Sequence, residues 1–185
     1  TYIEYLEKNI SDDIEGMSDT DGDRVPDYLD NSVTESQLPV GSGLLQTEPG
    51  LMLRLGEIAF ASDYSPLIDE TDVSLGTAGG IEDSLHSFPS GLFDFEVVGT
   101  EPGASASIVL PLSSGIPSNA IYRKYLPSGY WQDFVVDAHN SISSASNTVG
   151  ACPPPGDSNY ILGLIEGNVC VQLVIEDGGP NDTDG

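Results

Sequence analysis

Basic residues are scarce in this sequence. Of its 185 residues, 5 are Lys or Arg and 30 are Asp or Glu, which gives a formal net charge of −25. Contacts with nucleic acid phosphates or with an anionic membrane surface require clusters of Lys and Arg, so nucleic acid is excluded as a partner. No apolar run approaches the about 18 residues that a membrane-spanning helix needs, and we expect no membrane insertion in this segment. Hydrophobic residues still make up 38% of the chain, enough for a packed core.

Cysteine and histidine are also rare, with two of each. Cys152 and Cys170 have no further Cys or His near them in the sequence, and this argues against a zinc site. We predict a disulfide between them, and two free buried thiols are the alternative. Because such bridges persist in oxidising compartments, we expect an exported protein, either secreted or at the cell surface.

The sequence lacks the short motifs of common enzymes. It has neither a GxSxG nucleophile elbow nor a phosphate-binding P-loop. His86 and His139 have no metal ligand at a useful spacing. Asp94 and Glu96 could be the paired carboxylates of a glycosidase, but two acids on one strand face more often form the solvated side of a sheet. We therefore predict that the segment is not an enzyme.

Two further groups of residues leave alternatives open. Arg123 and Lys124 are two of the five basic residues; we expect them to pair with local carboxylates, and a bound anion is the alternative. Tyr122, Tyr130 and Trp131 could form a platform on which a sugar stacks. Large aromatic side chains in a sandwich belong to the core by default, so we expect a core role for these three.

Acidic residues are concentrated at the N-terminal end of the chain. Asp occupies positions 1, 3, 5, 9 and 12 of a loop over residues 19–30, namely Asp19, Asp21, Asp23, Asp27 and Asp30. These are side-chain ligand positions of an EF-hand-type calcium loop, in which position 7, here Val25, offers its backbone carbonyl. Without a cation, carboxylates about 4 Å apart would repel by a few kcal/mol per pair. The spacing therefore predicts bound Ca²⁺, with a second ion upstream as an open alternative at Asp12, Asp13 and Glu15.

The sequence DTDGDRVPDYLD at residues 19–30 resembles a bacterial thrombospondin type 3 repeat. The resemblance implies a calcium-binding run with little regular structure, in which Asp side chains and one carbonyl surround the ion. It assigns ligation to the five Asp residues of the loop and to the Val25 carbonyl. Members commonly have Gly where Arg24 stands, so the local backbone is the point at which this sequence departs from the family.

Downstream of the acidic segment, apolar residues recur with a period of two, which is typical of strands. Ala106, Ile108 and Leu110 alternate with Ser105 and Ser107. Other strand candidates lie at 51–60 (with a bulge or bend after Gly56), 93–97, 120–125, 130–136, 159–165 and 168–176. With 21 Gly and 13 Pro placed mostly between these runs, the pattern predicts an all-β fold. We expect an antiparallel, jelly-roll-like β-sandwich with an irregular N-terminal calcium-binding arm.

The same patterns suggest three parts. Residues 1–35 are the acidic calcium-binding segment, with a short helix expected at 2–9. Residues 36–50, a mixture of Ser, Gly, Pro and Gln, are predicted to be a linker or long loop. Residues 51–185 form the β-sandwich domain, in which 62–90 should be long loops with a short strand or two. Because the chain opens on Thr1 rather than Met, we expect it to be a piece of a longer protein.

An ordered series of short motifs follows in the second half of the chain. They are AIYRKY at 120–125, WQDFV at 131–135, CPPPGD at 152–157, GL at 163–164, Gly167, CVQL at 170–173 and IEDGGPND at 175–182. Together they resemble the bacterial choice-of-anchor U domain, and the resemblance covers residues 50–185. It implies an exported Gram-negative surface protein in which this domain follows type 3 repeats, and it implies no reaction.

These observations favour a non-catalytic extracellular module stabilised by calcium. We expect it to be the C-terminal spacer or surface-display part of a larger exported bacterial protein, for example an adhesin. Its partners would be calcium ions and the rest of the parent protein, with a glycan or another surface protein as a further candidate. The alternative is a carbohydrate-binding, lectin-like module.

Overall fold

The computed structural model of the protein describes residues 18–30, 34–62, 64–69, 83, 85–126, 128–147 and 151–183. The helix predicted at 2–9 and the second-ion candidates Asp12, Asp13 and Glu15 lie outside these residues, as does most of 62–90. Within the described ranges the chain forms twelve strands and one five-residue helix. No helix in these ranges has the length and apolar character needed to cross a membrane.

The elements follow one another along the chain as short strands with one helical turn among them. In order they are β1 (Gln37–Val40), β2 (Gly43–Thr47), β3 (Met52–Leu55), α1 (Glu57–Ala61), β4 (Leu67–Ile68), β5 (Leu92–Phe93), β6 (Phe95–Val98), β7 (Ser105–Pro111), β8 (Arg123–Tyr125), β9 (Trp131–Asp133), β10 (Ser141–Ala145), β11 (Ile161–Leu162) and β12 (Cys170–Glu176). This composition confirms the predicted all-β class.

One layer of the fold is a six-stranded antiparallel sheet with the order β1-β2-β7-β12-β10-β11. The long strands β7 and β12 lie at its centre, with Ile108 opposite Leu173 and Leu110 opposite Val171. All four side chains are buried, as the predicted alternation on β7 requires. Burying one such side chain stabilises a fold by about 1.5–3 kcal/mol, so this strand pair anchors the core.

The other strands form three two-stranded antiparallel pairs, β3–β6, β4–β5 and β8–β9. Residues 92–98 link two of these pairs around Asp94, because Asp94 N donates to Pro66 O at 2.8 Å and Asp94 O accepts from Gly56 N at 3.2 Å. Leu53 and Leu55 of β3 belong to the same buried cluster as the central residues of the large sheet. The core therefore lies between two layers, as in a sandwich.

The prediction of a linker or long loop over 36–50 is wrong. This segment forms β1 and β2, the first two strands of the large sheet. Leu38, Val40, Leu45 and Thr47 are buried at alternate positions, and the two strands are joined by a tight turn through Gly41, whose φ is 57°. The sequence concealed this period, because Pro39 and Leu44 occupy positions that are not buried while the polar Thr47 occupies a buried one.

The strand predicted through Gly56 is also wrong, since the chain forms α1 directly after β3. The carboxylate of Asp94 accepts hydrogen bonds from Ile58 N at 2.9 Å and from Ala59 N at 2.8 Å. These bonds satisfy two of the backbone donors that every helix leaves free in its first turn. A side chain 36 residues away thus stabilises a helical turn where the local apolar pattern indicated a bulged strand.

The predicted disulfide between Cys152 and Cys170 is confirmed, with the two Cα atoms 5.6 Å apart. It ties the excursion that carries β11 to the first residue of β12. A disulfide of this kind is compatible with an oxidising compartment.

Candidate metal centre

Residues 18–30 form a loop that is organised by its own side chains. The carboxylate of Asp19 accepts backbone hydrogen bonds from Gly22 N at 2.8 Å, Asp23 N at 3.2 Å and Arg24 N at 3.0 Å. Gly22 and Arg24 both have left-handed backbones, with φ of 79° and 73°. The chain therefore curls tightly around the Asp19 side chain without forming a helix.

A second acid closes the loop. Both carboxylate oxygens of Asp27 accept hydrogen bonds from Thr20, one from its backbone N at 2.7 Å and one from its hydroxyl at 2.9 Å. The backbone N of Asp27 donates to Ser18 O at 2.7 Å. A short turn follows, in which Asp30 N donates to Pro26 O at 3.1 Å. These bonds join the two ends of the loop.

Three of the predicted ligands come together inside this loop. Asp19, Asp21 and Asp23 each place a carboxylate oxygen within 4.8 Å of the other two. Asp23 is fully buried, with 0% of its surface exposed. One oxygen of Asp21 and one of Asp23 are buried without a hydrogen-bond partner in the described part of the chain. An unsatisfied buried carboxylate is unfavourable by several kcal/mol, so these two oxygens are the atoms that require an explanation.

The electrostatics of the cluster favour protons or cations. Burial, together with repulsion by Asp21, Asp30 and Asp19, raises the pKa of Asp23 to about 7, against the opposing hydrogen bond from Val25 N. Burial followed by repulsion from Asp30 also raises the pKa of Asp21. At neutral pH the cluster is therefore poised to take up positive charge.

The nearest basic side chain does not neutralise the cluster. The guanidinium of Arg24 is directed at the sandwich, where its Nη1 donates to Leu55 O at 2.8 Å and to Glu96 Oε1 at 2.9 Å. Across the described ranges, no Lys, Arg or His forms an ion pair with Asp19, Asp21 or Asp23.

The donor set fits a hard divalent cation. It consists of carboxylate oxygens only, which Ca²⁺ and Mg²⁺ prefer, while Zn²⁺ favours nitrogen and sulfur. A bound Ca²⁺ would supply the positive charge that both buried unpaired oxygens lack. Asp19, Asp21 and Asp23 would hold such an ion. The Val25 carbonyl, Asp27 and Asp30 stay predicted ligands; Asp27 contacts Thr20 as described, and Asp30 is close enough to affect the pKa of both buried acids.

The carboxylates considered for catalysis have structural partners. Asp94 binds the first turn of α1, and Glu96 pairs with Arg24. The basic pair on β8 is also engaged: Arg123 contacts Asp83 and Asp133, as predicted. Lys124 donates to the carbonyl of Pro180, and the Asp182 carboxylate is close enough to act on the pKa of Lys124, which burial lowers.

The aromatic residues considered for sugar stacking occupy different environments. Tyr122 packs edge-on against Phe134, with 5.8 Å between ring centroids, and one face of Trp131 is stacked on Phe88 at 4.6 Å. Tyr130 is 71% exposed. Of the three, only Tyr130 offers an exposed ring, so they do not form a common platform.

Sequence reasoning missed the contacts that attach the loop to the sandwich. Arg24 meets Leu55 and Glu96, which lie 31 and 72 residues further along the chain. The only local signal was an Arg at a position where the type 3 repeats that residues 19–30 resemble commonly have Gly. No family model, curated protein or solved structure matches the chain significantly.

Proposed function

We propose that this chain is a non-catalytic extracellular module whose acidic loop binds Ca²⁺ and is stabilised by it. In the proposal, Asp19, Asp21 and Asp23 are the core of the site, and the loop's remaining Asp residues and the Val25 carbonyl complete the coordination. The ion replaces water and protons as the partner of the buried carboxylates. It acts structurally and takes part in no reaction.

One observation carries this proposal: two buried carboxylate oxygens, on Asp21 and Asp23, lie beside a third carboxylate and have no hydrogen-bond partner among the residues that the structure describes. A surface run of acids would leave such oxygens in water, where they need no partner. Here Arg24, the nearest cation in the loop, is turned toward Glu96. A divalent ion is the simplest partner that satisfies both oxygens at once.

The expected effect of the ion is thermodynamic linkage. A ligand that binds only the folded state adds RT ln(1 + [L]/Kd) to the free energy of unfolding. Extracellular calcium modules bind with Kd values of about 0.1–1 mM. At a calcium concentration 100 times the Kd, the gain is about 2.7 kcal/mol.

The proposed location rests on the disulfide and on the sequence motifs of the second half of the chain. The disulfide is compatible with an oxidising compartment, and the motifs at 120–182 resemble a domain of exported surface proteins. We accordingly propose that the module is secreted or at the cell surface, as the spacer or display part of a larger bacterial protein such as an adhesin.

Thermal unfolding in chelator and in calcium tests this function. We expect the melting temperature to rise when Ca²⁺ replaces EGTA, and to stay unchanged when Na⁺ of equal ionic strength is added instead. In Asp23→Asn the calcium-dependent rise should be lost, because the amide keeps the bond from Val25 N but gives up the charge that binds the ion.

Glu101→Gln is the matched control for this experiment. It removes the same charge from an exposed side chain outside the loop, so its calcium response should equal that of the wild type. A wild-type melting temperature that is the same in EGTA and in calcium would contradict the proposed function.

A further inference from the structure

Three consecutive residues of the loop contact the sandwich at the end of β3. Leu55 N donates to Asp23 O at 3.0 Å, and Leu55 O accepts from Arg24 Nη1 at 2.8 Å. Both backbone groups of Leu55 are thus bound by the loop. The next side chain, Val25, is 3% exposed and belongs to the core cluster.

Through these hydrogen bonds, the loop lies along one edge of β3. On its other side β3 pairs with β6, where Arg54 lies opposite Glu96. On the loop side, Leu53 N donates to Glu35 O at 2.7 Å and Leu55 N donates to Asp23 O. Residues preceding β1 therefore cover the edge of β3 that would otherwise be open.

Asp23 links the candidate metal centre to this edge within a single residue. Its carboxylate belongs to the acidic cluster, and its carbonyl holds the amide of Leu55. Any shift of the carboxylate on losing an ion acts on the same short stretch of backbone that binds β3.

Arg24 provides a second link between the loop and the sandwich, although its backbone conformation is unfavourable. Its φ of 73° lies in the left-handed region, which Gly adopts readily and residues with a Cβ do not. The Arg24 side chain makes two contacts with the sandwich, to Leu55 O and to Glu96 Oε1. These two contacts explain why an Arg occupies this position. The guanidinium therefore joins the loop to β3 and β6 together.

We infer that Arg24 is a positioning residue of the metal loop, which couples occupancy of the site to the β3–β6 edge. The inference rests on the proposed function. By holding the loop on β3, Arg24 keeps the three carboxylates assembled for the ion. Coupling between two events is reciprocal, so the bound ion also holds the loop on Leu55.

If Arg24 acted only through its positive charge, removing it would change the Ca²⁺ affinity in the opposite direction. Removing a cation beside an anionic site should strengthen Ca²⁺ binding, because the site becomes more negative. Loss of positioning should weaken Ca²⁺ binding instead. The sign of the affinity change in an Arg24 variant therefore separates the two effects.

The experiment is a Ca²⁺ titration of the full chain and of three variants. Arg24→Gly removes the side chain and relieves the left-handed backbone, and Arg24→Gln removes the charge but keeps most of the length. Arg54→Gln is the matched control. Arg54 is a basic residue that lies opposite Glu96 in the β3–β6 pair, but it belongs to β3 and not to the loop. We expect both Arg24 variants to bind Ca²⁺ about tenfold more weakly, a typical coupling, and Arg54→Gln to bind like the wild type.

Amide hydrogen exchange at Leu55 supplies a second readout. In the wild type and in Arg54→Gln, Ca²⁺ should slow exchange of this amide about tenfold, by the reciprocity of the coupling. In Arg24→Gly, Ca²⁺ should slow exchange of this amide clearly less than in the wild type, because only the link through the Asp23 carbonyl remains. A merely structural Arg24 would instead speed exchange equally with and without Ca²⁺.

The possible outcomes distinguish failure of the coupling from failure of the proposed function. Ca²⁺ binding by the wild type with no change in Leu55 exchange would overturn the coupling and leave the proposed function standing, as would equal or tighter binding by Arg24→Gly. No Ca²⁺ binding by the wild type would overturn the proposed function and the coupling with it.

Discussion

The surroundings of the Asp23 side chain disfavour its charged form. The side chain is fully buried, one oxygen is held by Val25 N at 2.7 Å, and the other has no hydrogen-bond partner among the described residues. Two further acids lie within reach of the same point. A carboxylate in this setting must bind a proton or a cation, or else destabilise the fold.

Because of this burial, the metal-free protein should lose stability as the pH rises. The pKa of Asp23 is about 7 in the folded state and near 3.8 in the unfolded chain. The folded state therefore holds the proton more strongly, and this contribution to stability is complete below about pH 3.8 and is lost as the pH rises through about 7.

Other acids also titrate, so the measurement compares two proteins. In metal-free buffer, the difference in unfolding free energy between wild type and Asp23→Asn should move against the wild type from pH 5 to pH 8, around the Asp23 pKa of about 7. With saturating Ca²⁺ at pH 8 the wild type should be the more stable of the two. If the difference in unfolding free energy between the two proteins did not depend on pH in metal-free buffer, the conclusion that burial disfavours the Asp23 carboxylate would be contradicted.

The sequence predicted the residues of the cluster but not their environment. Alternating Asp residues at 19, 21 and 23 indicated oxygen ligands for one ion, and the structure gathers these three side chains. Burial of Asp23 depends on β3 packing against the loop, and spacing within the loop contains no information about that contact.

Among the structural elements, the segment that follows β12 is held by the buried side-chain amide of Asn181. Asn181 accepts from Val135 N at 2.9 Å and donates to Val135 O at 2.8 Å, so its side chain imitates a neighbouring strand. It also donates to Asn140 Oδ1 at 2.9 Å, and the same oxygen accepts from Glu176 N at 3.1 Å. These bonds connect the segment after β12 to those after β9 and before β10.

Changing this amide to a carboxylate should disrupt the connection. Asn181→Asp keeps the shape but replaces two donated bonds by repulsion from two acceptors, and the residue is buried. We expect a loss of about 3 kcal/mol in the free energy of unfolding, the cost of an unsatisfied buried charge after partial relaxation. Urea denaturation at pH 7.5 measures it.

Asn159→Asp provides the control, because the same chemical change falls on an exposed side chain. Its unfolding free energy should stay within about 0.5 kcal/mol of the wild type. Equal losses in the two variants would show that added charge, and not the lost donors, destabilises the chain.

Predictability differed between elements for physical reasons. Strand β7 buries three apolar residues at alternate positions, and β12 buries two with a third, Ile175, partly buried, so their period is visible in the sequence. Strand β10, with the sequence SISSA, was missed because Ser144 is buried through bonds to Gly163 O and from Ile165 N rather than through apolar packing. Helix α1 depends on Asp94, a distant partner that no local pattern reveals.

At the scale of the whole molecule, the meaning of the net charge depends on where the acids lie. One Ca²⁺ would neutralise only two of the 25 excess negative charges, so the ion leaves the overall field of the protein almost unchanged. Its effect is local, because it would contact the buried oxygens of Asp21 and Asp23 in a loop that is bound to β3. The remaining charge keeps the surface well solvated and disfavours self-association.

The candidate metal centre is connected to the core of the sandwich through β3. The acidic loop covers the edge of β3, and Leu53 and Leu55 of β3 pack into the core shared with the six-stranded sheet. Stabilising the loop should thus stabilise the sandwich as a unit. This continuity is why a metal bound by residues near the N-terminal end could affect unfolding of the entire domain.

Calcium binding by the acidic loop is tested most directly by the number of Ca²⁺ ions that the protein binds, measured by equilibrium dialysis with elemental analysis. The wild-type chain is compared with the triple variant Asp19→Asn, Asp21→Asn and Asp23→Asn, whose folding is checked by circular dichroism. The account predicts that the wild type binds one more Ca²⁺ than the triple variant. The same number of bound ions in both proteins would contradict it.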